Sequence, residues 1–159
     1  MTDVINLENG HPAPNFSATD SEGNMYDLSD LTSSGRTVIL YFYPKDDTPG
    51  CTIQACDFRD NMLNLNDSNT VVLGVSKDSA TSHDNFTEKF ELNFPLLMDE
   101  DLALHTAYGT WREKQNYGRT YMGCVRSTFI IDTDGTISHA MYNVKAKGHV
   151  ERIMSLLGK

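Results

Sequence analysis

Cys51 and Cys56 stand five positions apart in the stretch Tyr43-Pro44-Lys45-Asp46-Asp47-Thr48-Pro49-Gly50-Cys51-Thr52-Ile53-Gln54-Ala55-Cys56. A thiol can attack, be oxidised or exchange disulfides, and in each case the thiolate is the nucleophile. A helix starting near Pro49 puts Cys51 in its first turn, where unpaired backbone N–H groups and the positive dipole end favour negative charge on sulfur. A nearby cation would add to this. Because the chain carries a formal net charge of −9, that cation has to be recruited specifically. Arg126 is the candidate, inside an apolar run at 125–131 that reads as a strand. An arginine beside Phe129, Ile130 and Ile131 needs a partner or an exposed strand face. Thr48 supplies a hydroxyl that donates and accepts, three residues before Cys51. Pro44 fixes the loop entry and shields the site from water. Asp46 and Asp47, close in sequence, work against the thiolate. Gln54 either reaches substrate or solvates the helix surface.

The second thiol adds a geometric argument. Five residues along a regular helix turn about 140° and rise about 7.5 Å, placing the two Cα atoms about 8.7 Å apart. A disulfide needs them within about 7 Å. Cys51 and Cys56 therefore cannot be bridged while the helix is intact, and the spacing predicts a switch: reduced and folded, oxidised and locally unwound.

The elements that must position these residues are legible in the pattern. The run 37–43 is continuously apolar and rich in β-branched and aromatic residues, which suits a strand buried on both faces. Pro44 and Pro49 break it. From Cys51 onward Ala55, Phe58, Met62 and Leu65 recur at helical spacing. Residues 70–75, 94–98, 125–131 and 136–143 read as further strands, and 79–92, 100–108 and 148–157 as helices. Turn signals stand at 20–24, closing an N-terminal hairpin, and at 132–135. Strands alternating with helices, plus one late hairpin, indicate an α/β fold with a mixed central sheet flanked by helices.

At 159 residues without a repeat or linker, the chain reads as a single domain, 1–159. Its acidity and lack of a basic run argue against nucleic acid or an anionic membrane as partner. The start, Met1-Thr2-Asp3-Val4-Ile5-Asn6, lacks the basic and apolar regions of a signal peptide. Three cysteines are too few for a disulfide scaffold and suit a reducing, cytoplasmic setting. The five histidines show no metal-ligand spacing, so no metal or other cofactor is expected.

Pro44, Thr48 and Cys51 together match the active-site signature of the peroxiredoxins. The chain resembles their bacterioferritin comigratory protein, or Q-type, branch. Thr48-Pro49-Gly50-Cys51-Thr52, Gln54-Ala55-Cys56, Phe58-Arg59-Asp60, Phe94-Pro95-Leu96-Leu97, Tyr121-Met122-Gly123 and Arg126-Ser127-Thr128-Phe129 carry the resemblance, which runs from about Val4 to Leu157. It implies a thioredoxin-like fold and thiol-dependent reduction of hydrogen peroxide and organic hydroperoxides, with thioredoxin or a similar dithiol as reductant. By the same resemblance Cys51 is the peroxidatic nucleophile and Cys56 the resolving cysteine. Thr48 and Arg126 orient and activate the peroxide, Pro44 shields the thiolate, and a monomer is what this branch often forms, with the oligomeric state left open by the sequence. Cys124 departs from the pattern, which usually has an aliphatic residue there.

Plainer readings stand beside these. Any of the three cysteines can be a small core hydrophobe, and Cys124 in particular reads as one. A disulfide oxidoreductase would normally carry Cys-x-x-Cys, which the four-residue gap here does not match. A redox sensor using the same unwinding is compatible with the sequence.

Overall fold

The turn at 20–24 joins Ser17–Thr19 (β1) to Met25–Asp27 (β2), with Ser17 opposite Asp27 in an antiparallel pair. The structure is a computed structural model that describes residues 5–158. Met1 to Val4, most of the stretch on which the signal-peptide expectation rests, and Lys159 lie outside that range. Asp27 caps a short helix, Leu28–Ser33 (α1), its carboxylate accepting from Asp30 N–H. The chain then enters Thr37–Phe42 (β3), the middle of a five-stranded sheet.

From there the order is Pro49–Asp67 (α2), Thr70–Ser76 (β4), Ala80–Phe90 (α3), Leu96–Met98 (β5) and Ala103–Tyr108 (α4). Trp111–Asn116 (β6), Arg119–Cys124 (β7), Ser127–Ile131 (β8), Ile137–Met141 (β9) and His149–Leu156 (α5) complete it. The main sheet runs β5-β4-β3-β8-β9, with β3, β4 and β5 parallel and β8 and β9 antiparallel to their neighbours. It is mixed, as the alternation of elements predicts.

β3 needs no polar alternation because both its faces are covered. Ile39 and Tyr41 pack on one side with Ala55, Phe58, Met62 and Leu65 of α2 and Val150 and Ile153 of α5. Val38, Leu40 and Phe42 pack on the other with Leu28 of α1 and Leu104 and Tyr108 of α4. Each such buried Val, Ile, Leu, Phe or Met side chain contributes about 1.5–3 kcal/mol of apolar transfer, so α2 is held by its inner stripe along most of its length.

Element ends shift by a few residues throughout, and three differences from the sequence reading have a clear physical reason. α4 starts at Ala103 rather than 100, because the Asp99 carboxylate accepts from Leu104 N–H at 3.0 Å and His105 N–H at 2.8 Å and so sets the first turn. The strand expected over 125–131 begins at Ser127, and Arg126 lies in the two-residue link between β7 and β8. The β6–β7 hairpin was not anticipated. It closes on Tyr117 and Gly118, both with positive φ (51° and 77°), the backbone signature of a two-residue hairpin turn.

Candidate active site

α2 opens at the end of the loop that follows β3. Thr48 takes the N-cap position in extended conformation (φ −98°, ψ 156°) and Pro49 begins the helix, where its missing N–H costs nothing. Thr48 does not cap the helix with its side chain; its hydroxyl donates instead to Lys45 O at 2.8 Å. The hydroxyl oxygen keeps its acceptor capacity, and the first turn keeps its positive end uncapped by a side chain. Cys51 sits in that turn with 2% of its surface exposed.

Arg126 reaches this turn from the opposite side. Its Nη2 lies 3.3 Å from Cys51 Sγ and its Nη1 donates to Gln54 Oε1 at 2.6 Å. One guanidinium thus spans two side chains of α2, a fork that lysine could not reproduce. The approach is close: a Cβ at Gly50 would stand 3.1 Å from Arg126 Nη2 and would push on the guanidinium. Pro44 and Arg126 line the same groove above the site. Arg126 therefore meets Cys51 directly, Pro44 shares a groove with Arg126, and Thr48 stands at the N-cap of the same turn. Arg126 owes its freedom to point at sulfur to its place outside the strand.

Gln54, left open by the sequence, is fully buried and bound to Arg126, while its Nε2 has no partner. The two aspartates do not face the thiol as sequence proximity implied. Asp46 is buried and accepts from Tyr43 Oη at 2.6 Å, Ser82 Oγ at 2.8 Å and His83 Nδ1 at 2.7 Å. Asp47 pairs at the surface with Lys89. Both carboxylates pin the loop to α3. A lone histidine at position 83 gave no sequence signal for this anchor.

Cys56 follows in the same helix, half-buried, and all three thiols are free. Cys124 ends β7. Burial pushes its thiol up to about 12, with Lys114 pulling weakly the other way. It is a core residue. Among the described residues, no group of three or more histidine, cysteine or acidic side chains is placed to hold a metal. No helix there is long and apolar enough to cross a membrane.

A mixed sheet with a thiol at the N-terminal turn of a flanking helix is the thioredoxin-like arrangement, here with an arginine on the sulfur. Residues 9–140 match the AhpC/TSA family. Peroxiredoxin Bcp of Escherichia coli is 43% identical over 151 residues, covering 95% of this chain and 96% of its own. Peroxiredoxin Bcp of Bacillus subtilis is 42% identical over 153 residues, covering 96% of both. Among solved structures, the bacterioferritin comigratory protein of Xanthomonas campestris, described in terms of alkyl peroxide reduction, superposes with a TM-score of 0.86. That match has 35% identity and covers 98% of each chain. The chain belongs to the AhpC/TSA family as a peroxiredoxin of the Bcp type, a thiol peroxidase.

Proposed function

We propose that Cys51 is the peroxidatic thiol and reduces hydrogen peroxide and organic hydroperoxides. The observation that carries this is the 3.3 Å contact of Arg126 with Cys51 Sγ at the open first turn of α2. In the reaction, the Cys51 thiolate attacks the terminal peroxide oxygen. The S–O bond forms as the O–O bond breaks, and the departing alkoxide or hydroxide takes up a proton to leave as alcohol or water. Charge grows on that departing oxygen, and the Arg126 guanidinium and the first N–H groups of α2 are the donors available to stabilise it. Thr48 Oγ1, its proton committed to Lys45 O, presents lone pairs that accept the peroxide's hydrogen.

Cys51 is left as sulfenic acid. Cys56 then attacks that sulfur, the S–S bond forms, and the sulfenic oxygen leaves as water. A thioredoxin-like dithiol returns two electrons by exchange. The test is NADPH consumption by the protein with thioredoxin, thioredoxin reductase and tert-butyl hydroperoxide. The unmodified chain consumes NADPH and Cys51→Ser does not; consumption by Cys51→Ser would contradict the assignment of the nucleophile.

A further inference from the structure

The acidic character of the chain is unevenly distributed. Positions 1–111 hold eighteen acidic and five basic residues, whereas positions 112–152 hold four acidic and seven basic. The fold gathers much of that basic segment around the mouth of the Cys51 site. One groove of about 590 Å³ is walled by Pro44, Val125 and Arg126 and carries Arg112 and Lys114, with Glu113 its only carboxylate. A second, of about 530 Å³, shares Asn143 and Val144 with the first and carries Lys145, Lys147 and Arg152 with no carboxylate. Val144 N–H donates to Arg126 O at 2.9 Å, and the Ala146 Cβ lies 3.6 Å from where a Cβ at Gly50 would stand. The loop bearing Lys145 and Lys147 therefore passes directly beside the first turn of α2.

Among the described residues, none of these cations is paired with a carboxylate, although Arg59 and Lys89 elsewhere are. Arg112 and Lys114 donate to backbone carbonyls, of Gly109 and Cys124. Lys145, Lys147 and Arg152 are exposed. On the hairpin, Tyr121, 44% exposed, stands opposite Lys114. Gly123 lets the two side chains lie together, since a Cβ there would meet Lys114 Cδ at 3.0 Å and Tyr121 Cε2 at 3.3 Å.

Hydrogen peroxide and simple alkyl hydroperoxides are neutral at pH 7, so this rim does nothing to recruit them. It also extends to both sides of Asn143 and Val144, wider than one small carboxylate requires. We propose that the basic rim is the docking surface for the protein that reduces the oxidised site, a dithiol reductant presenting carboxylates around its cysteine pair. The inference rests on the dithiol-dependent cycle proposed above. Complementary charge steers the reductant to the disulfide and makes its association salt-dependent. Once docked, a reductant thiolate attacks one sulfur of the Cys51–Cys56 bond and the other sulfur leaves as thiolate. The second reductant thiol then closes on the mixed disulfide, and the two electrons stay with Cys51 and Cys56.

The test compares the unmodified protein with Lys145→Glu/Lys147→Glu, using an acidic bacterial thioredoxin with its reductase and NADPH. The double variant is expected to lose about tenfold in kcat/KM for thioredoxin and to show a flatter salt dependence. Oxidation of the reduced variant by hydrogen peroxide, followed in a single turnover, keeps its rate. An unchanged and salt-independent kcat/KM for thioredoxin overturns the docking surface while leaving the cycle intact. So does a loss confined to a carboxylate-bearing hydroperoxide, which would make the rim a small-anion site. Single-turnover oxidation with no thioredoxin-linked turnover in the unmodified protein overturns the cycle itself and the docking surface with it.

Discussion

Cys51 and Cys56 occupy one unbroken helix, the first 2% exposed in the opening turn and the second half-buried five residues on. In regular helix geometry their Cα atoms are about 8.7 Å apart and face directions about 140° apart, outside disulfide reach. The proposed resolution by Cys56 therefore requires the start of α2 to unwind. Arg126 holds Cys51 and Gln54 together across that turn, so unwinding also breaks its fork on the helix. The folded turn suits attack on peroxide, and the unwound one suits disulfide formation.

Arg126→Ala should slow single-turnover oxidation by hydrogen peroxide about 10²- to 10³-fold, the usual effect of removing one preorganised donor from a developing oxyanion. Arg126→Lys should recover little, because an ammonium cannot serve Cys51 and Gln54 at once. Stopped-flow kinetics on both variants check this. A rate for Arg126→Ala within twofold of the unmodified protein would leave the arginine a packing role.

Cys56→Ser should keep the rate of the first oxidation and lose thioredoxin-linked turnover, with sulfenic acid accumulating on Cys51. A dimedone-type trap read by mass spectrometry detects the accumulated species. Full turnover with thioredoxin would make Cys56 dispensable.

Cys124 should be inert in the native protein. Its thiol, held at about 12 by burial, is essentially undissociated at pH 7. Iodoacetamide should label Cys56 in the reduced native chain and reach Cys124 only after unfolding in guanidinium. Native labelling of Cys124 as fast as Cys56 would contradict its place in the core.

Two buried histidines should give stability opposite pH dependences. Burial, aided by Arg152 and Arg126, pushes His149 down to about 4 from 6.5, so it is neutral in the folded chain. Its contribution is present above about pH 6.5 and is lost as pH falls towards 4, a loss of about 2 kcal/mol at pH 5. Urea unfolding should show the stability gap between pH 7 and pH 5 shrinking by that amount in His149→Gln; an unchanged gap counts against it. For His83, burial opposes the charge, but the hydrogen bond and attraction of Asp46 outweigh it and raise the pKa above 6.5. That stabilisation is complete below about pH 6.5 and fades as pH rises through the folded value. The destabilisation caused by His83→Gln should therefore be smaller at pH 9 than at pH 6. A constant difference would mean the pair does not titrate in this range.

The strands and helices of the main sheet were legible because each buries a continuous face. The run at 37–43 and the Ala55, Phe58, Met62, Leu65 stripe have one reading each. The β6–β7 hairpin was not, because β7 is exposed over four of its six residues and β6 after Trp111 is a run of charged and polar residues with no apolar alternation. Its one local signal was Tyr117-Gly118. Cys51, Thr48 and Pro44 could be located from one contiguous segment. Arg126 was found by its oddity in an apolar run but placed in the wrong element, since the link between two adjacent strands leaves no mark in composition. The Asp46–His83 anchor joins positions 37 residues apart through tertiary packing alone. No periodicity could signal it.

The most direct measurement is the intact mass of the fully reduced protein after one equivalent of hydrogen peroxide, followed by peptide mapping. The expected product has lost two hydrogens, mapped to a Cys51–Cys56 bond, with Cys124 still a free thiol. A persistent gain of one oxygen on Cys51, with Cys56 still reduced, would contradict the unwinding and resolution of α2.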